Sequence, residues 1–268
     1  MDFLHQLKLS FLFYWRAFRF IDSNDLWKLL VIPAIINLII AFLTVLFAIK
    51  TSGIIVQYVF SHFSFSTTDN SVNIFIEGLL LIFIRAAVFF FYLKVYRYLA
   101  LIFLAPLLAF ISSRVQTIDT GHSDRLCTSK YLLNCSRGIK IALRNFVIEI
   151  LLSTVVIIVF LLITWIIPLA PVVILLLESY FMGYSMADYR NEFFRISSRD
   201  SRKLINNYLG LVLGNGLFFN IFLLIPLLGV LFAPTFALVA SGLSINFLEK
   251  RKSILCDSDQ STLMMAES

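Results

Sequence analysis

Long runs without charge dominate the hydrophobic pattern of this chain. Residues 29–49 carry no charge and neither do residues 204–248. The apolar stretches between them, 74–93 and 145–187, are broken only by Glu77, Arg85, Glu149 and Glu178. A helix that crosses a bilayer needs about 20 predominantly apolar residues, and several of these runs reach that length. The two-residue alternation of a membrane β-barrel strand is absent. The pattern therefore predicts an all-α integral membrane protein.

The first 20 residues follow a different rule. Leu4, Leu7, Phe11, Trp15 and Phe18 recur at helical spacing, interleaved with Lys8, Arg16 and Arg19. Such a helix lies in the membrane interface; the same stripe also suits packing against a neighbouring helix. The first span is Leu29–Ile49, with Pro33 in its first turns. The return span, 74–93, is interrupted by Arg85. Apolar character then continues through "YLALIFLAPLLAFISS", where Pro106 predicts a kink. As one helix this stretch exceeds the bilayer and projects beyond it on the side of Lys94 and Arg97.

A polar connection over 112–136 separates this pair from two further apolar regions. These turn at "WIIPLAPV" and at "IPLLGVLFAP", each with two prolines, which predicts a helix break at each. A hairpin turn that emerges into water is normally polar, but these are apolar. The arms after Pro171 and Pro234 read as only about 14–16 residues, short of a full span. The pattern thus predicts two re-entrant hairpins that penetrate part way, their tips covered by other helices or subunits; two ordinary helical hairpins are the alternative. The expected organisation is one membrane domain, 1–250, made of an interfacial helix (1–22), two long helices (28–118) and hairpins at 137–188 and 204–248. A disordered polar tail, 253–268, follows.

Composition supports the membrane class. Apolar residues make up 60% of the chain and charged residues 14%, against about 25% charged in soluble domains. The mean hydropathy is +0.91. The net charge of +6 comes from Lys and Arg at the ends of apolar runs. It is read as attraction to anionic headgroups, with no nucleic-acid partner. Residues 51–73 hold no Lys or Arg, so the positive-inside rule places that loop outside and both termini in the cytoplasm. Residues 1–20 do not read as a secretory signal. Cys127, Cys135 and Cys256 read as free thiols in a reducing compartment.

Three places carry candidate chemistry. In "IDSNDLWK", residues 21–28, Ser23 or Asn24 can cap the following helix. Asp25 suits the helix dipole, Trp27 reads as an interfacial anchor, and Lys28 as a headgroup contact or an anion contact. Arg85 inside an apolar run is costly unless compensated. It can line an anion path, pair with Glu77, Glu149 or Glu178, or snorkel. Gly210 and Gly214, with Gly216 close by, have the spacing of tight helix packing, and Asn215 and Asn220 can bond across helices there. His5, His62 and His122 are isolated and propose no metal site. No cofactor is indicated, and no nucleophile–base spacing suggests an enzyme.

The order of these parts resembles the CysZ-like sulfate permease family, which includes the etoposide-induced membrane proteins. The resemblance rests on Phe13–Asn37 with its "VIPAIIN", on "LAPLL" around Pro106, on "MADYR" with Asp188 and Tyr189, and on "LIPLLGVLFAP". It implies two long crossing helices, two partly penetrating hairpins, homo-oligomers and sulfate uptake. The family's glycine–apolar–arginine triplet, often followed by a second basic residue, falls on Asp25, Leu26, Trp27 and Lys28, and its proline after Asp188–Tyr189 is Arg190. The expected function is a permease in the plasma (inner) membrane for a small inorganic anion such as sulfate, with Asn24, Lys28 and Arg85 as substrate contacts. The alternative is a non-transporting scaffold of the same fold that organises the membrane.

Overall fold

A computed structural model describes residues 2–62, 70–121, 128–225 and 227–266, with side chains over 2–62, 74–121, 136–163, 165–225 and 227–251. The described residues form eight α-helices and one short 3₁₀ segment, without a strand. The helices are α1 (Phe3–Ser23), α2 (Trp27–His62), α3 (Asn70–Thr120), α4 (Thr128–Leu162), α5 (Ala170–Phe193), α6 (Ser198–Asn207), α7 (Leu209–Leu223) and α8 (Leu228–Ala266). Five of them contain stretches long and apolar enough to cross a membrane: 27–62, 74–120, 136–162, 165–193 and 228–251. Cys127, Cys135, Cys256 and His122 lie outside the described side chains, as does the tail expected at 253–268.

α7 sits between α1 and α5, and α8 packs against both α1 and α7. The glycines of α7 make this possible. A Cβ at Gly210 would meet the Phe3 carbonyl at 2.6 Å, and one at Gly214 would meet Ser10 Oγ at 2.0 Å, both on α1. On the opposite face a Cβ at Gly216 would lie 1.7 Å from the Ser179 carbonyl of α5, and Gly183 of α5 touches the Val212 carbonyl in the same way. The glycine spacing is thus a backbone-to-backbone packing device. α1 presents Gln6, Ser10, Phe13, Ala17 and Ile21 to this core. Leu4 and Trp15 of its predicted apolar stripe are well exposed, while Phe11 packs on Phe218 and Phe18 on Trp27 and Phe236.

α2 and α3 form an antiparallel pair, fixed by the Thr51–Tyr92 hydroxyl contact at 2.8 Å. α3 runs without a break through Pro106. At 1.5 Å per residue it is about 75 Å long, more than the thickness of a bilayer with its headgroups.

The prediction for the two tips needs correction. The first break is real: a 3₁₀ segment spans Thr164–Leu169, and Pro171 lies in the first turn of α5, where no N–H is needed. The arm that follows has 24 residues, well beyond the expected 14–16. At the second tip α7 ends at Leu223, and Leu227, just before α8, takes φ +63°. α8 then passes straight through Pro234. A proline inside a helix strips the carbonyl four residues earlier of its hydrogen bond; here that carbonyl is Val230. The Asn37 side-chain amide of α2 donates to the Val230 carbonyl instead, and the Tyr96 hydroxyl of α3 donates to Asn37 Oδ1 at 3.1 Å. A buried amide from another helix thus completes the helix that the proline interrupts.

Candidate functional site

The candidate contacts Asn24, Lys28 and Arg85 do not come together. The loop between α1 and α2 is a tight turn. Asn24 Nδ2 donates to the Phe20 carbonyl at 2.8 Å and Ser23 Oγ to the same carbonyl at 3.3 Å. Both side chains therefore close the end of α1. The expectation that one of them caps the start of α2 is overturned, because free carbonyls at a helix C-terminus compete for donors just as free amides do at an N-terminus. Asp25 takes φ +50°, the left-handed region that glycine enters most easily and Asp tolerates. That explains physically why a glycine suits this position. Trp27 packs among Phe18, Phe232 and Phe236 and donates Nε1–H to Asp22 at 3.1 Å. It is a packing residue tied to the loop more than a surface anchor. Lys28 is exposed.

Arg85 is exposed on α3. From the Thr51–Tyr92 contact, Lys28 lies 23 residues back along α2 and Arg85 seven back along α3, toward the opposite end of the pair. At 1.5 Å per residue the two are on the order of 40 Å apart, about the full thickness of a bilayer with its headgroups.

Two of the carboxylates considered for Arg85, Glu149 and Glu178, have other partners. Lys94 Nζ lies 3.3 Å from Glu149 Oε1, 3.2 Å from Glu178 Oε1 and 2.8 Å from Ser153 Oγ. Arg97 Nη1 reaches Glu178 Oε2 and Asn220 Oδ1, each at 2.8 Å. Asn220 passes the network on to Ser179 at 3.0 Å, and the Tyr98 hydroxyl donates to Glu149 Oε2. Two cations from α3 thus meet one carboxylate from α4 and one from α5, with an amide from α7. The four charges balance, and all four side chains are at least four-fifths buried. The sequence offered Lys94 and Arg97 only as basic residues at a span's end. Their spacing of three on one helix face was the signal that both could turn inward together.

A second network ties the ends of α4, α5, α6 and α8. Arg137 grips Asp188 with Nε at 3.0 Å and Nη2 at 2.8 Å, and its Nη1 donates to the Ile196 carbonyl at 2.6 Å. Ser201 Oγ donates to the same Asp188 at 2.5 Å. Arg190 reaches Asn246 at 2.8 Å and Glu249 at 3.0 Å, and Asn246 donates to Gln116 and Asp119, each at 2.6 Å. The "ADYR" residues are therefore joints of the fold: Asp188 holds α4 and α6, Arg190 holds α8, and Tyr189 packs against Gly138.

The geometry therefore offers an electrically balanced, buried charge network between apolar helices, and a separate loop whose polar groups are already engaged. No curated protein gives a significant match to this chain. Residues 13–234 match the family model described as sulfate transporter CysZ/etoposide-induced protein 2.4. The match covers the loop before α2, the Lys94–Arg97 network, the first hairpin and the second up to Pro234, and on that span the chain belongs to the CysZ/etoposide-induced protein 2.4 family of membrane proteins.

Proposed function

We propose that this chain is a permease for a small inorganic anion, with sulfate as the substrate that the family's description names. The observation that supports the reading is the pair of cations Lys94 and Arg97 among the apolar helices α3, α4 and α5, each sharing Glu178. A buried ion pair costs desolvation that apolar side chains of similar volume would avoid, so its retention in a membrane helix reads as functional. A divalent oxyanion offers the same acceptor geometry as a carboxylate. It can take the place of Glu178 on Arg97 and Lys94 in turn, while Asn220 and Ser153 keep the cations oriented. Lys28 then concentrates anions at one mouth and Arg85 at the other, with Asn24 shaping the first.

Several features go with this reading. Trp165 at the first tip is 90% exposed and Leu224 at the second is 79% exposed, and neither suits water. We therefore read the hairpins as re-entrant, with tips held in the bilayer or against another copy, and the assembly as a homo-oligomer. Both termini are cytoplasmic, the host is the plasma (inner) membrane, and residues 1–250 act as one membrane domain.

The second reading, a non-transporting scaffold, draws support from the loop before α2. Asp22, Asp25 and Trp27 fill the place where an anion would be held. Sulfate uptake into proteoliposomes decides between them. The permease reading expects uptake by oligomeric wild-type protein and a loss of at least about tenfold in Arg97→Gln, the effect of one charge-assisted contact. No flux of sulfate or related oxyanions through well-assembled wild type would favour the scaffold.

A further inference from the structure

Arg137 and Arg144 lie two turns apart on α4 and differ in one respect. Arg137 holds Asp188 in a two-pronged pair. Arg144 is half-buried inside the same apolar span, 136–162, and meets no carboxylate among the described residues. Its Nη2 donates only to the neighbouring Asn145 at 3.1 Å, and its Nε is buried without a hydrogen-bond partner. Its guanidinium lies over the Tyr184 ring of α5, 5.3 Å from the centroid. Tyr184 is 3% exposed, and its hydroxyl is also buried without a partner. One turn back, Tyr180 donates to Asn206 of α6 at 3.3 Å. The acid of α6, Asp200, is engaged by Ser197 and Lys203.

One guanidinium without a counter-charge among the described residues, carrying one buried donor without an acceptor, thus stands over a ring whose buried hydroxyl is a second. Unpaired buried donors and an unpaired cation in an apolar span are each destabilising, and a single ligand removes all of these costs. It must accept several hydrogen bonds and carry negative charge. We propose that Arg144 and Tyr184 form an oxyanion site for a sulfate or phosphate group between α4 and α5, separate from the Lys94–Arg97 network. A free ion and the phosphate of an anionic lipid share this chemistry. α6 lies where a headgroup could reach, since Arg199, Arg202 and Lys203 all face outward from it. The site does not require that the chain transports.

Thermal unfolding of the full-length protein in detergent, titrated with inorganic sulfate and then inorganic phosphate, tests the free-ion source. Native mass spectrometry after exchange into phosphatidylglycerol or phosphatidylcholine micelles tests the lipid source. The site is supported if either ion stabilises wild type saturably, or if phosphatidylglycerol is retained over phosphatidylcholine. Arg144→Gln should then weaken that binding at least about tenfold and Tyr184→Phe several-fold. Tyr184→Phe removes only an oxygen, so it keeps the test decisive should Arg144→Gln fail to assemble. Sulfate uptake by the Tyr184→Phe protein, measured in parallel, separates failure here from failure of the permease reading. Neither ion and neither lipid distinguishing wild type from Tyr184→Phe and Arg144→Gln would overturn the site. So would a Tyr184→Phe protein that is simply more stable, with ion and lipid binding unchanged.

Discussion

The span in α8 and the span in α3 are both long and apolar enough to cross a membrane, yet they have opposite surroundings. In α8, 78% of the most apolar window is buried within the protein; in α3, none is. Helices α1, α5, α7 and α8, with the inner parts of α2 and α3, make the core, bound by apolar packing, glycine contacts and side-chain amides. The outer half of the α2–α3 pair stands apart from it as a wing whose Phe75, Phe83 and Phe90 are each about two-thirds exposed. Hydropathy alone cannot separate the two, because lipid-facing and core-facing residues are equally apolar in a membrane protein. What separates them is the small and polar residues: glycines, serines and asparagines mark the faces that meet other helices.

The largest test of that contrast is one substitution made in both places. Gly216→Ala puts a Cβ 1.7 Å from the Ser179 carbonyl, a backbone atom that cannot step aside. The α5–α7 contact must open, and we expect a loss of about 3 kcal/mol or more, read as failure to give a single folded species by size-exclusion chromatography. An unchanged elution profile and melting temperature would show that the core is looser than described.

The seam between wing and core gives a smaller effect with a sharper signature. Asn37→Leu leaves the Val230 carbonyl unpaired and removes the partner of Tyr96. The expected cost is about 1–3 kcal/mol. Pro234→Ala restores an N–H able to reach that carbonyl within α8, so Asn37→Leu should cost visibly less in the Pro234→Ala background. Additive effects in the unfolding midpoints of this double-mutant cycle would mean that Asn37 does not stand in for the proline's missing donor.

This pairing also shows how far the sequence could be read. Run length made the helices and their apolar character legible. Proline pairs marked both tips, yet α8 runs straight through the second proline of the second pair. Pro234 stays helical because a residue nearly 200 positions away supplies the missing donor, and no local pattern reports that. The sequence names Asn37 and Pro234 as features without linking them. Likewise Glu149 and Glu178 stand out as acids in apolar runs and invite pairing with Arg85, the most anomalous cation nearby in the sequence. The structure pairs them with Lys94 and Arg97. Those two looked like the end of a span, when α3 in fact continues far past them. The loop before α2 was half legible: its polar residues do cap a helix, but the one before it. The direction of a cap depends on backbone geometry, here the positive φ of Asp25, which sequence pattern does not fix.

The smallest effect belongs to the wing. Gly78 lies within α3, where an added Cβ finds nothing within 4 Å, and Gly53 in α2 is equally open. Glycine in a helix interior costs about 0.8–1 kcal/mol relative to alanine when nothing else changes. If the wing meets only lipid chains, Gly78→Ala should therefore raise stability by up to about that amount and leave the oligomer unaltered. The opposite result is equally informative. A fall in the unfolding midpoint, accompanied by dissociation on size-exclusion chromatography with light scattering, would mean that the backbone of another copy approaches Gly78 closely, as Ser179 approaches Gly216 within one chain. The bare face of α3 would then be an interface built on the same small-residue rule as the core, and the contrast between the two halves would belong to the isolated protomer alone.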